Sequence, residues 1–164
     1  HFLTPIGSQQ KNIHFLVKKG KESLISQYED LIGLSIAVKR KASYFKRFNQ
    51  DKALNKTISE DDGNMVLMFD KGRFDTMAVL DKKSVEYALK KYNISNYAFA
   101  DYEFIQTIDN HFGMSKLSPN AHVYKMLNSV FEAMTISGKI GEIYRKYDLE
   151  MPTQFPRIEQ QIAR

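Results

Sequence analysis

Two short stretches carry residues that could hold a small charged molecule. In Lys39-Arg40-Lys41-Ala42-Ser43, cations and a hydroxyl follow directly on the apolar run Leu34-Ser35-Ile36-Ala37-Val38. Asp81 closes a second apolar run, Phe74-Asp75-Thr76-Met77-Ala78-Val79-Leu80. Each run reads as a strand that feeds a helix, and in α/β proteins ligands sit at that carboxyl edge, where free backbone N–H groups favour an anion. The Arg40 to Ser43 turn would hold a carboxylate and Asp81 an amine, an arrangement that suits a zwitterion. Ser43 and Asp81 are also helix-capping residue types, and capping accounts for each one taken singly.

Other chemistries lack their residues. The chain has no cysteine, so disulfides, thiolate metal sites and thiol catalysis are excluded. The four histidines, at 1, 14, 111 and 122, include no pair at helical metal-ligand spacing. There is no Gly-x-Ser-x-Gly elbow, no Gly-x-Gly-x-x-Gly and no P-loop signature. Asp61-Asp62 opens a helix pattern, where dipole stabilisation explains both carboxylates. No enzyme, cofactor or metal is expected. Gly138-Lys139-Ile140-Gly141 matches the Gly-x-x-Gly loop of KH domains, a four-residue coincidence better explained as a helix break.

The elements that must position these residues follow from periodicity. Ile13 to Val17, the 34–38 run, Thr57-Ile58-Ser59 and the 74–80 run read as strands. Tyr44, Phe45 and Phe48 are spaced for a helix with Ser43 at its N-cap. Met65, Val66, Met68 and Phe69 predict a second helix, ending at Lys71-Gly72. Val85, Ala88, Leu89 and Tyr92 predict a third. Ser118-Pro119 predicts a helix start with an apolar stripe behind it, Val123, Met126, Leu127, Val130, Phe131 and Met134. Ile140, Ile143, Tyr144 and Tyr147 form a shorter amphipathic helix, and 151–164 reads as a tail. Alternating strands and helices imply an α/β unit with a largely parallel sheet.

At 164 residues the chain has the length of one domain, with 43% apolar residues for a core. No run is long enough to span a membrane, and the abrupt start at His1 is compatible with a processed or truncated product. The net charge of +5 is dispersed over Lys18-Lys19-Lys21, Lys39-Arg40-Lys41, Lys82-Lys83 and Lys90-Lys91, a solvated surface more than a polyanion track.

The order of these segments resembles the bacterial extracellular solute-binding proteins of family 3, which have the type-2 periplasmic-binding-protein fold of amino-acid ABC transporters. The resemblance runs from about Phe15 to Tyr147. Phe15-Leu16-Val17-Lys18-Lys19-Gly20 is similar to the hinge strand into the second lobe. Tyr28-Glu29-Asp30-Leu31-Ile32-Gly33 and the 34–38 run are similar to the next strand with its lead-in. Arg40-Lys41-Ala42-Ser43-Tyr44 stands where the family carries Arg-Gly-Tyr-Ser-Tyr or Gly-Thr-Thr/Ser, with Lys41 in place of the glycine. Gly72-Arg73-Phe74-Asp75 through Asp81 is similar to the family's Gly-Arg-x-Asp strand. Phe112-Gly113-Met114-Ser115-Lys116 and the segment Ser137 to Tyr147 are similar to the return strand and a closing helix.

The resemblance implies a ligand held between two lobes that close about a hinge. By position, Arg40, the backbone at Ala42 and Ser43 would meet the ligand's carboxylate, and Asp81 its amine. Residues 15–109 would form a complete second lobe, and 1–14 with 110–164 part of the first, including two C-terminal helices. The upstream segment that supplies most of the first lobe is missing, so a second chain could complete it. The implied function is non-catalytic capture of an amino-acid-like solute in the periplasm, for import through an ABC-type membrane permease. Alternatives are a ligand-sensing ectodomain of the same fold and, from another class, a basic nucleic-acid-binding protein; no nucleic acid is expected as partner.

Overall fold

A computed structural model describes residues 2–155; the last nine residues of the expected tail lie outside the described residues. The elements in chain order are β1 (Gly7–Gln10), β2 (His14–Val17), β3 (Ser35–Lys39), α1 (Lys46–Gln50), β4 (Asn55–Ser59) and α2 (Asp62–Asp70). There follow β5 (Thr76–Val79), α3 (Lys82–Lys91), β6 (Ala98–Phe99), β7 (Thr107–Asn110), α4 (Tyr124–Ile136) and α5 (Lys139–Lys146). The chain divides into two compact units. One is Asn12–Gln106, and the other combines the residues up to Lys11 with those from Thr107 onward.

In the central unit a five-stranded sheet runs β4-β3-β5-β2-β6. The trio β4, β3 and β5 at one side is parallel, with Lys39 opposite Ser59 and Ala37 opposite Met77. β2 and β6 join antiparallel, with Phe15 opposite Ala78 and Leu16 opposite Phe99. Both faces are covered, which is why these strands read as continuous apolar runs and not as alternating ones. Phe15, Val17, Ile36, Val38 and Ala78 face one layer with Phe45 and Phe48. Leu16, Ala37, Met77 and Val79 face the other, against Met65, Val66 and Phe69 of α2 and Val85 and Leu89 of α3.

Two sequence expectations about helix starts are corrected. Ser43 does not cap a helix: α1 starts at Lys46 with Phe45 at its N-cap position, and only Phe48 of the predicted trio is helical. The chain is held extended up to Phe45 because the Tyr44 hydroxyl accepts from Lys39 N–H at 2.9 Å and donates to Ala78 C=O at 3.4 Å. Likewise Ser118-Pro119 opens turns and a 3-10 segment, Ala121–Val123, before α4 begins at Tyr124.

A polar clamp anchors α1 on the other side. The Tyr28 hydroxyl donates to Asp51 Oδ2 at 2.9 Å, and the Arg47 guanidinium lies 3.6 Å over the Tyr28 ring while pairing with Glu29 at 2.6 Å. Desolvation, helped by the Asp51 carboxylate, pushes the Tyr28 phenol up to about 12.

The flanking unit has less to bury. β1 and β7 form a two-stranded antiparallel ribbon, Gly7 opposite Asn110. The apolar stripe predicted on α4 exists as a helix face, yet no α4 residue is buried, and Met126 is 60% exposed. Periodicity fixes which side of a helix is apolar; it does not supply the layer that covers it. α4 is tied down by Asn128 Oδ1, which accepts from Thr4 N–H at 2.7 Å, by Glu132, which accepts from the Thr4 hydroxyl at 3.1 Å, and by the Phe131 ring 5.1 Å from that of Phe112.

Candidate ligand site at the sheet edge

The carboxyl ends of β3, β4 and β5 lie side by side, and the residues that follow them share one edge of the central unit. After β3, the Ala42 N–H donates to Lys39 C=O at 3.2 Å, closing a four-residue turn over 39–42. Within it Lys41 has φ +59°, and Arg40 is not among the residues with positive φ. Positive φ at the third position alone is the type II pattern, which ordinarily takes glycine or asparagine there. Lys41 thus takes a backbone shape that glycine adopts without strain.

Arg40 and Ser43 sit on this edge as the sequence placed them, with altered duties. The Arg40 guanidinium pairs with Glu60 at 2.8 Å across the β3–β4 ends, both groups more than half exposed. The Ser43 hydroxyl accepts from Asn49 Nδ2 at 3.2 Å, which leaves its own proton to donate. The Ala42 N–H is already occupied in the turn, so an anion there would compete with Lys39 C=O. Because α1 has only five residues and starts three positions after Ser43, it supplies no dipole at the turn.

Asp81 sits two residues past the end of β5. Its Oδ1 accepts from Ser84 N–H at 3.1 Å, so it is the N-cap of α3. Capping occupies one carboxylate oxygen and is compatible with a second contact through the other.

Sequence reasoning missed the polar centre of the edge. Asp62, at the first position of α2, accepts from Lys39 Nζ at 2.9 Å and from Ser84 Oγ at 2.6 Å. It ties the ends of β3, α2 and α3 together, and its side chain is only 14% exposed. The signal was strand parity: Lys39 shares a face with Ala37, which packs toward α2, so its side chain had to reach the first turn of that helix. Tyr44 was also missed as the link between β3 and β5; burial, its largest influence, raises its phenol above the ordinary value.

Among the described residues no group of three or more His, Asp or Glu is arranged to hold a metal, and no helix is long and apolar enough to cross a membrane. His14 at the start of β2 pairs with Glu103 at 3.0 Å. Desolvation nevertheless keeps its imidazole below the ordinary value, outweighing the carboxylate.

The sequence matches no family model, and no curated protein matches it. Solved structures do match. An ancestral arginine-binding protein bound to arginine superposes with a TM-score of 0.61 at 20% identity, over 89% of this chain and 63% of that one. This is the type-2 periplasmic-binding-protein fold. The fold recurs in an amino-acid ABC transporter substrate-binding protein from Streptococcus pneumoniae bound to L-arginine, with TM-score 0.58 and 16% identity over 92% and 63% of the chains. It recurs again in the GluR0 ligand-binding core complexed with L-glutamate, with TM-score 0.62 and 16% identity over 89% and 62%. The chain therefore spans less than two thirds of the length of these periplasmic-binding-type structures.

Proposed function

We propose that the chain is part of a solute-binding protein of family 3 that captures an amino-acid-like solute without catalysis. In this reading it works in the periplasm, or outside the cell in association with its membrane, and delivers the solute to an ABC-type permease. The observation that supports the proposal is that Arg40, Ser43 and Asp81 follow the carboxyl ends of the adjacent parallel strands β3 and β5, in a fold whose solved examples hold amino acids. Ser43 and Arg40 would receive the α-carboxylate and the outer oxygen of Asp81 the α-amine. The Lys39–Asp62–Ser84 cluster would hold the three elements in register beneath it.

The exposed apolar positions of α4 support a further part of the reading, that more strands, from a second chain or another segment, complete the first lobe. The likeness to the GluR0 ligand-binding core favours, as a second reading, a sensor that signals its ligand and does not deliver it.

The decisive variant is Asp81→Asn, because asparagine caps a helix as well as aspartate does and removes only the charge. Calorimetric titration with a panel of L-amino acids should show binding to the parent and a loss of roughly 10–100-fold in the variant, the scale of a hydrogen bond to a charged group. Unchanged affinity in Asp81→Asn would refute the site; titration of the parent without heat from any amino acid would refute the function.

A further inference from the structure

Charge along the edge is unevenly neutralised. Lys39 is paired with Asp62 and Arg40 with Glu60. Lys41 is exposed, and among the described residues its ammonium has no ion-pair partner. Beside it lies an open recess of about 250 Å³ whose polar lining comes from Lys39, Lys41, Tyr44, Asn49 and Lys56, and no described carboxylate lines it. Lys56 Nζ donates to Phe48 C=O at 2.6 Å and Asn49 C=O at 3.4 Å, which leaves the third of its protons for another acceptor.

The backbone singles out the same residue. Among the described residues, three that are not glycine have positive φ: Lys41, Asn93 and Asp148. Asn93 and Asp148 follow the ends of α3 and α5, where asparagine and aspartate tolerate the left-handed shape. Lys41 terminates no helix and is a residue type that disfavours this shape. A strained non-glycine residue at a ligand edge points from geometry to function.

Resting on the amino-acid reading of this edge, we infer that the recess receives a second, side-chain carboxylate, so that the solute is an acidic amino acid and Lys41 is the residue that selects it. Arg40 and Ser43, next in sequence to the lining residues Lys41 and Ala42, would hold the α-carboxylate. Lys41 and the remaining Lys56 proton would face the distal one.

The test titrates the full chain with L-glutamate, its uncharged isostere L-glutamine, and L-arginine, in the parent, Lys41→Met and Lys41→Gly. The parent should prefer glutamate over glutamine by about 5–10-fold at low salt, the range of a partly exposed charged contact, and by less as salt screens it. Both variants should reduce that preference to below about 2-fold, with glutamate losing more affinity than glutamine. Glutamine or arginine binding the parent as tightly as glutamate would overturn the inference and leave the amino-acid reading standing. A glutamate preference that survives both variants would do the same. If none of the three ligands binds the parent, the inference falls, and the wider amino-acid panel decides whether the preceding reading falls with it.

Discussion

Replacing Lys41 by glycine and, separately, by alanine isolates the cost of its left-handed backbone. Both changes remove the ammonium and the long side chain, so their difference reports the conformation alone. An L-residue in the left-handed region costs about 1–2 kcal/mol, and glycine regains about 0.4–1 kcal/mol less than that because its unfolded chain is freer. With φ at +59° and the turn closed by the Ala42 N–H to Lys39 C=O bond at 3.2 Å, glycine should be more stable than alanine by about 0.5–1 kcal/mol. That corresponds to a rise of about 1–4 °C in melting temperature for a chain of this size. Urea unfolding at neutral pH, with both variants showing the same denaturant dependence, measures it directly. An alanine variant as stable as the glycine variant would show that the turn does not hold this geometry in solution, and would remove the backbone support for a selected lysine.

The remaining predictions concern titration. Asp75 accepts from the Ser35 N–H at 2.7 Å and the Ser35 hydroxyl at 2.6 Å, and these bonds hold its carboxyl below the ordinary range. A depressed native pKa gives stability that is present above the unfolded value near 3.9 and is lost as pH falls through the native value. Asp75→Asn should therefore be less stable than the parent by about 1 kcal/mol at pH 7, with the gap closing in acid; a gap independent of pH in denaturation curves from pH 7 to 3 would contradict this. His14, favoured as the neutral imidazole by desolvation, should titrate below 6.5 by NMR, its stabilising share complete above that pH and lost as pH falls. Glu103→Gln should push the midpoint lower still, and a midpoint that rises would show that the His14–Glu103 pair is not formed.

Much of the central unit was legible because its strands are buried on both faces. The 34–38 and 74–80 runs had no other use for so many apolar residues, and Asp81 after the second of them is both a cap and an edge carboxylate. Turn chemistry was less legible. Ser43 looked like a cap because its residue type suits one, whereas the helix start was decided by Tyr44, whose hydroxyl bridges Lys39 and Ala78. The half that reaches Ala78 spans 34 residues, and no local window contains it. The same holds for Asp62, whose partners Lys39 and Ser84 lie more than twenty residues away on either side. On α4 the periodicity gave the helix and its apolar stripe, but not whether that stripe is covered, since an apolar face is a local property and its burial depends on what else is present.

The bridge that closes the central unit has a consequence for how the chain is built. Ile13 N–H donates to Phe104 C=O and Phe104 N–H to Ile13 C=O, each at 2.9 Å, with Ile13 1% exposed. The two ends of Asn12–Gln106 are thus zipped beside each other, like the mouth of a purse. A segment whose entry and exit coincide can be cut out, expressed alone or rejoined end to end with little disturbance to its interior. Its sheet and both apolar layers travel with it, so the lobe that carries Lys41 and Asp81 is a transplantable module.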